Sequence, residues 1–161
     1  MSTLIEFQQA QSPGLVATAR QLFREYENAI GVDLEYQGFA AELAGLPAPY
    51  VPPAGALLIA MVGGDASGCV ALRCIGNGIG EMKRLYVRPS CRGTGLGERL
   101  VAAIIDRARG AGYRQLRLDT LSSMASAQKL YRRLGFSEIP AYNDAHLPGT
   151  RFFALELNGL G

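Results

Sequence analysis

The sequence has no tryptophan, one histidine and only three cysteines in 161 residues. Cys69, Cys74 and Cys91 are odd in number and form no C-x-x-C pair, which argues against a disulfide framework and a zinc site. They read as idle or buried thiols. His146 lacks ligand-spaced partners, so no metal is expected, and its place between Asn143 and Gly149 is that of a surface residue in a turn-rich stretch. Long apolar runs are also missing. The longest uncharged one, Ala54 to Gly64, is about half of what a bilayer-spanning helix needs. Met1 to Ala10 shows no basic cluster followed by an apolar core, so no signal peptide is expected and a cytoplasmic location is. The formal net charge of +2 is too small to attract nucleic acid or a membrane by field alone.

What is present suits an ordinary core. Apolar residues make up 48% and charged residues 19%, and the length is that of one domain, expected to run over residues 1–161. So small and apolar-rich a domain is compatible with a homodimer, although no interface can be read.

Ser12-Pro13 predicts a helix cap followed by proline at the first helical position. Leu15, Ala19, Leu22, Phe23, Tyr26 and Ile30 then recur at helical spacing up to Gly31. A second, weaker helix is predicted from about Tyr36 to Leu43, and the proline-rich segment Gly45 to Pro53 is a loop. Strands follow at Leu57 to Val62, Gly68 to Ile75 and Gly80 to Val87, joined by turns at Gly63-Gly64-Asp65 and Gly76-Asn77-Gly78. Leu96, Leu100, Val101, Ile104, Ile105 and Ala108 mark an amphipathic helix ending at Gly110. A strand from Tyr113 to Leu118 and a helix capped by Ser122 or Ser123 and running through Leu134 come next. Two strands, Phe136 to Ile139 and Arg151 to Leu157, close the chain. The predicted order is α-α-β-β-β-α-β-α-β-β, an α/β (α+β) domain with a mixed, mostly antiparallel sheet flanked by helices.

The most informative stretch runs from Glu81 to Gly97, where a strand leads into Arg92-Gly93-Thr94-Gly95-Leu96-Gly97 and a helix start. Alternating glycines let backbone N–H groups converge, and the helix N-terminus adds about half a positive charge, so together they make an anion cradle suited to phosphate. No Gly-Lys-Ser/Thr is present, which excludes a P-loop. A Rossmann fingerprint with Asp119 on the ribose also fails. Position 98 is glutamate where the third glycine belongs, the loop from Arg88 to Arg92 is slack, and an antiparallel meander precedes it.

Arg92-x-x-Gly95-x-Gly97 resembles the R/Q-x-x-G-x-G/A signature with which the GNAT superfamily of acetyl-CoA-dependent N-acetyltransferases holds the CoA pyrophosphate. Lys83 to Pro89 is similar to that family's central strand and loop, and Ala127 to Phe136 to its second signature, a helix ending L-Y-x-x-L-G-F. The resemblance covers roughly Leu57 to Ile139. It implies acetyl-CoA as co-substrate and acetyl transfer to a primary amine of a small molecule or peptide by direct attack on the thioester. The alternative is an acyl-CoA-binding regulatory module without turnover.

The resemblance further implies that backbone groups of Leu85, Tyr86 and Val87 bond the pantetheine arm like an added strand. The amides of Gly93, Thr94, Gly95, Leu96 and Gly97, with Arg92, would hold the pyrophosphate. Tyr131 matches the family's general acid for the CoA sulfur. Glu81, on the central strand, is the candidate base, with a solvated salt bridge to Lys83 as the plain alternative. Tyr86 or Val87 would offer an amide to the oxyanion. One departure stands out: the family's usual asparagine seven residues before the tyrosine is Met124, with Ser123 and Ser126 as substitutes. Lys129, Arg132 and Arg133 are candidates for the adenosine 3′-phosphate, or form a solvated basic face. For the acceptor, Asp33, Glu35 and Tyr36 suggest attraction of a cationic amine. Tyr50 and the stretch from Tyr142 to His146 suggest walls, and Arg73 suggests a carboxylate-bearing acceptor.

Overall fold

Local chemistry sets the elements of the computed structural model, which describes residues 4–157. The Ser12 side chain accepts the Leu15 amide and Pro13 opens α1 (Pro13–Ile30), which ends at Gly31 in the left-handed region. A single 3-10 turn (Leu34–Gln37) leads into α2 (Phe39–Gly45). Next come β2 (Ala56–Val62), β3 (Asp65–Cys74) and β4 (Ile79–Val87), followed by α3 (Leu96–Gly110), β5 (Gln115–Thr120) and α4 (Ala125–Arg133). The chain closes with β6 (Ser137–Ile139) and β7 (Arg151–Glu156). Gly63 and Gly64 both have positive φ, and Val62 faces Asp65, so the β2–β3 hairpin turns on two residues whose twist matches the strands. No helix among the described residues is long and apolar enough to cross a membrane.

The sequence reading omits the first strand, β1 (Ile5–Gln9), which pairs antiparallel with β2 at the sheet edge. Only Ile5 and Phe7 carry its alternation, while Gln8 and Gln9 read as polar turn material. Gln9 in fact works as a clamp, accepting the Leu57 amide at 3.0 Å and donating to the Tyr50 carbonyl at 3.3 Å. The second helix is also shifted: the segment from Tyr36 splits at Gly38, which adopts φ 74 between the 3-10 turn and α2.

Seven strands form one sheet in the order β1-β2-β3-β4-β5-β7-β6. Every pair is antiparallel except β4 with β5. On one face α3 buries Leu100, Val101, Ile104 and Ala108 against Leu58, Val70 and Leu72; on the other α1 and α2 cover Leu57, Ile59, Cys69 and Ala71 with Leu22, Phe23 and Phe39. Two apolar faces of one sheet are each covered, as the hydrophobic effect demands.

Two irregularities place the site. The β4–β5 ladder has only three registered pairs, Ile79↔Gln115, Gly80↔Leu116 and Glu81↔Arg117, so β4 has no partner strand on that side beyond Glu81. On its other side, Ala71 faces Lys83 while Cys69 faces Tyr86, so two steps on β3 oppose three on β4. This is a β-bulge, and Arg84 within it takes a φ of 61. The buried Arg84 guanidinium donates to both carboxylate oxygens of Glu42 on α2, at 2.6 and 3.0 Å. The strained residue is thereby tied to a helix across the sheet face.

Candidate active site

Beside the free edge of β4 lies an open groove of about 710 Å³, lined by Leu85, Tyr86, Val87, Arg92, Gly97 and the first turn of α4. Its far end is the glycine loop. Gly93 and Gly95 have φ of 79 and 84, and a side chain at either would meet nothing within 4 Å, so both are there for conformation and for open approach. Gly95 caps α3 without any side-chain hydrogen bond, which leaves first-turn amides free to point outward. Gly97 differs: an added Cβ would make ordinary contact with Val87 and Leu130. Arg92 folds back, its Nε donating to the Val87 carbonyl at 3.1 Å.

Leu85, Tyr26, Ile30 and Met124 also line a narrower cavity of about 40 Å³ behind the groove. Tyr131 reaches this cavity from α4, 4% exposed, its ring packed on Phe136 and Phe153 at centroid distances of 5.7 and 6.1 Å. Burial pushes the Tyr131 hydroxyl well above the usual tyrosine range, which keeps it protonated at neutral pH. Asp119 of β5 and Lys83 of β4 line the same cavity. Burial raises the Asp119 carboxyl and lowers the Lys83 ammonium from their ordinary values, and among the described residues neither forms a salt bridge. Asn143 Oδ1 lies within hydrogen-bond distance of His146 Nδ1, at 3.3 Å.

Three buried side-chain oxygens have no hydrogen-bond partner among the described residues: Gln37 Oε1, Thr120 Oγ1 and Thr150 Oγ1. All three residues line this one cavity. An unsatisfied buried polar atom costs about 1–3 kcal/mol, so three around one cavity suit a polar group, or a water, that brings donors. Each orphan can accept a hydrogen bond, and so can the Asp119 carboxylate. That is the complement of an amine.

Glu81 does not line this cavity. It is 2% exposed, and both its oxygens are engaged: Oε1 accepts from Arg73 Nε at 2.8 Å and Oε2 from the Tyr142 hydroxyl at 2.7 Å. It opens instead onto a neighbouring depression with Arg73, Arg117, Tyr142 and Asn143.

The sequence model of the acetyltransferase (GNAT) family matches residues 19–136. An uncharacterized N-acetyltransferase of Schizosaccharomyces pombe is 40% identical over 141 residues, 86% of each chain. The chain belongs to the acetyltransferase (GNAT) family. It is an acyltransferase. The fold agrees: a GNAT-family acetyltransferase of Staphylococcus aureus superposes with a TM-score of 0.81 at 19% identity, over 96% of this chain and 100% of that one. The Salmonella typhimurium protein yncA, solved with its cofactor acetyl-CoA, superposes at 0.67 with 20% identity, over 96% and 95% of the two chains.

Within this GNAT domain the sequence-based site residues separate into three groups. Leu85, Tyr86, Val87, Arg92 and Gly97 share the groove, and Gly93, Thr94, Gly95 and Leu96 continue its glycine loop. Tyr131, Tyr36 and His146 share the inner cavity, with Met124 lining both. The remainder are occupied elsewhere. Asp33 caps the 3-10 turn by accepting the Glu35 amide at 2.9 Å, and Glu35 accepts the Ala40 amide at 2.7 Å. Tyr50 is buried in the core on the α1 side and donates to Glu42, so it is no wall of the site. Arg132 pairs with Glu138 and Arg133 with Glu98, and the exposed Lys129 has no ion-pair partner among the described residues. Asp119, Gln37, Thr120 and Thr150 were not reached as acceptor-side residues from the sequence. The alternation of Arg117 and Asp119 on a strand was the available signal for the first; the other three belong to no motif.

Proposed function

We propose that the protein transfers the acetyl group of acetyl-CoA to a primary amine by direct attack on the thioester. The observation that carries this reading is the set of acceptor atoms (Asp119, Gln37, Thr120 and Thr150) that line one cavity with Tyr131 behind the groove. The groove fits CoA: Gly93 and Gly95 leave the loop open to a pyrophosphate, and the free edge of β4 at Leu85 to Val87 offers backbone partners to an amide-bearing arm. When bound, acetyl-CoA supplies the activated acyl carbon.

The protein's own groups then divide the work. The orphan oxygens and Asp119 hold the incoming ammonium, and Asp119 takes one of its protons so that the nitrogen becomes a nucleophile. Desolvation makes Asp119 a stronger base than an exposed aspartate, which is the direction this step needs. An amide of Tyr86 or Val87 faces the charge that develops on the acyl oxygen. Tyr131, protonated, gives its proton to the departing sulfur, and the second proton that the nitrogen sheds as the amide forms replaces it, so the net proton released is the one on Asp119. A second reading keeps Glu81 as the base. Its support is the hydrogen bond from Tyr142, through which it could act from the neighbouring depression.

The test is release of CoA thiol from acetyl-CoA in the presence of diamines, amino acids and short peptides. Tyr131→Phe and Asp119→Asn are each expected to lower turnover by about 10²–10⁴-fold, the range of a general acid or base. Turnover that survives Asp119→Asn and collapses in Glu81→Gln would transfer the base to Glu81.

A further inference from the structure

The depression next to the inner cavity has a volume of about 310 Å³ and is lined by two arginines, Arg73 and Arg117, with Tyr142, Asn143 and Glu81. Its charge is unbalanced. Arg73 is neutralised by Glu81 at 2.8 Å, but Arg117 has no carboxylate within 4.0 Å among the described residues. Arg117 donates to the neutral Gln115 at 2.5 Å and lies over the Tyr142 ring at 5.3 Å. A guanidinium seated over an aromatic ring, with nitrogens left over, is placed to receive a carboxylate.

The depression also communicates with the place assigned above to the amine. Arg117 and Asp119 are two residues apart on β5, so they share a sheet face about 7 Å apart along the strand. Asn143 lines the depression and its Oδ1 lies 3.3 Å from the ring Nδ1 of His146, which lines the inner cavity, so a hydrogen-bonded pair joins the two sites. The charge set over the two sites is four cations (Arg73, Arg117, Lys83 and Arg84) against three anions (Glu81, Asp119 and the Glu42 that pairs with Arg84). That set repels a second ammonium and leaves one positive charge for an acid.

We propose that the Arg117 depression is an acceptor subsite, and that the natural acceptor is a primary amine carrying a carboxylate several bonds from the reacting nitrogen. The inference rests on the acetyl-transfer reading. It narrows the acceptor to amino-acid-like molecules, with the ammonium at Asp119 and the acid group at Arg117 beside Arg73. Polyamines, which place a second cation there, are excluded as good acceptors.

The test compares acceptors matched in length and opposite in terminal charge: γ-aminobutyrate with putrescine, and δ-aminovalerate with cadaverine, glutamate being added as an α-amine with a remote acid. Thiol release gives kcat and KM for each, and calorimetry gives acetyl-CoA binding separately. The acid-bearing member of each pair is expected to be favoured in kcat/KM by at least about tenfold, the scale of one screened ion pair. Arg117→Glu is expected to invert that preference through KM, and Arg117→Gln to abolish it; their melting temperatures establish that both fold. Preference for the diamines, or an equal effect of Arg117→Glu on both members of a pair, would overturn the proposal. So would acetyl-CoA binding without turnover or calorimetric binding of any acid-bearing amine, although the donor half of the site would then stand. Absence of acetyl-CoA binding itself would remove the underlying reading and this inference with it.

Discussion

Asp119 and Lys83 illustrate how a single residue's environment decides its chemistry. Both are desolvated in the same cavity, and desolvation raises a carboxyl pKa and lowers an ammonium pKa. For Asp119 the linkage sign is unfavourable to folding. A carboxyl whose folded value is raised costs stability once pH exceeds its unfolded value. Asp119→Asn is therefore expected to keep or raise the melting temperature at neutral pH while losing turnover, a combination that thermal denaturation beside the thiol assay can read. Gly97 gives a second contrast. A Cβ there meets only ordinary contacts, so Gly97→Ala should leave the unfolding free energy within about 0.5 kcal/mol. Gly97→Val, whose branches enter the groove between Val87 and Leu130, should weaken acetyl-CoA binding measured by calorimetry. Gly95→Ala should instead cost about 1–2 kcal/mol, because its φ of 84 suits only a residue without Cβ. The glycine loop was legible in the sequence because its chemistry is local. The proposed acceptor residues were not, because Gln37, the Asp119-Thr120 pair and Thr150 come from three separate stretches of chain that only the folded sheet and its loops bring together.

At the scale of elements, β4 carries the architecture of the site. Its bulge, its early parting from β5 and its tie to α2 all fall within Glu81 to Val87. The sequence announced the strand but not the bulge, since nothing in Lys83-Arg84-Leu85 marks a residue with positive φ. The Arg84–Glu42 pair is buried, with side chains 3% and 11% exposed. Glu42→Ala would strand the Arg84 charge and should cost about 3–5 kcal/mol in denaturant unfolding, whereas Glu42→Leu combined with Arg84→Met should recover much of that loss. Burial raises the Glu42 carboxyl, but the bonds from Arg84 outweigh it and the net shift is downward. The stability this pair confers is therefore present above the ordinary carboxylate range and lost as pH falls through the lowered value. Across the bulge, a Cβ at Gly68 would lie 2.6 Å from the Tyr86 carbonyl oxygen, a contact no backbone tolerates. Gly68→Ala should accordingly destabilise the protein and disturb the groove together.

For the molecule as a whole, helix periodicity, hairpin turns and two short signatures were enough to read the family and nearly the whole element order. β1 escaped because an edge strand of five residues with two consecutive glutamines has almost no alternation to display. The proposed donor groove was legible for the same reason as the fold, since the residues from Leu85 to Gly97 that line it or continue it are contiguous in sequence. The acceptor half depends on how β5, the segment after α1 and the chain before β7 meet, and no local pattern encodes that meeting. The most direct test of the account is the pH dependence of kcat/KM for a responsive amine in the wild type, Asp119→Asn and Glu81→Gln. The account predicts an acid limb above the ordinary aspartate range that persists in Glu81→Gln and is absent from the residual activity of Asp119→Asn. An acid limb that survives in Asp119→Asn and disappears with Glu81 would contradict it.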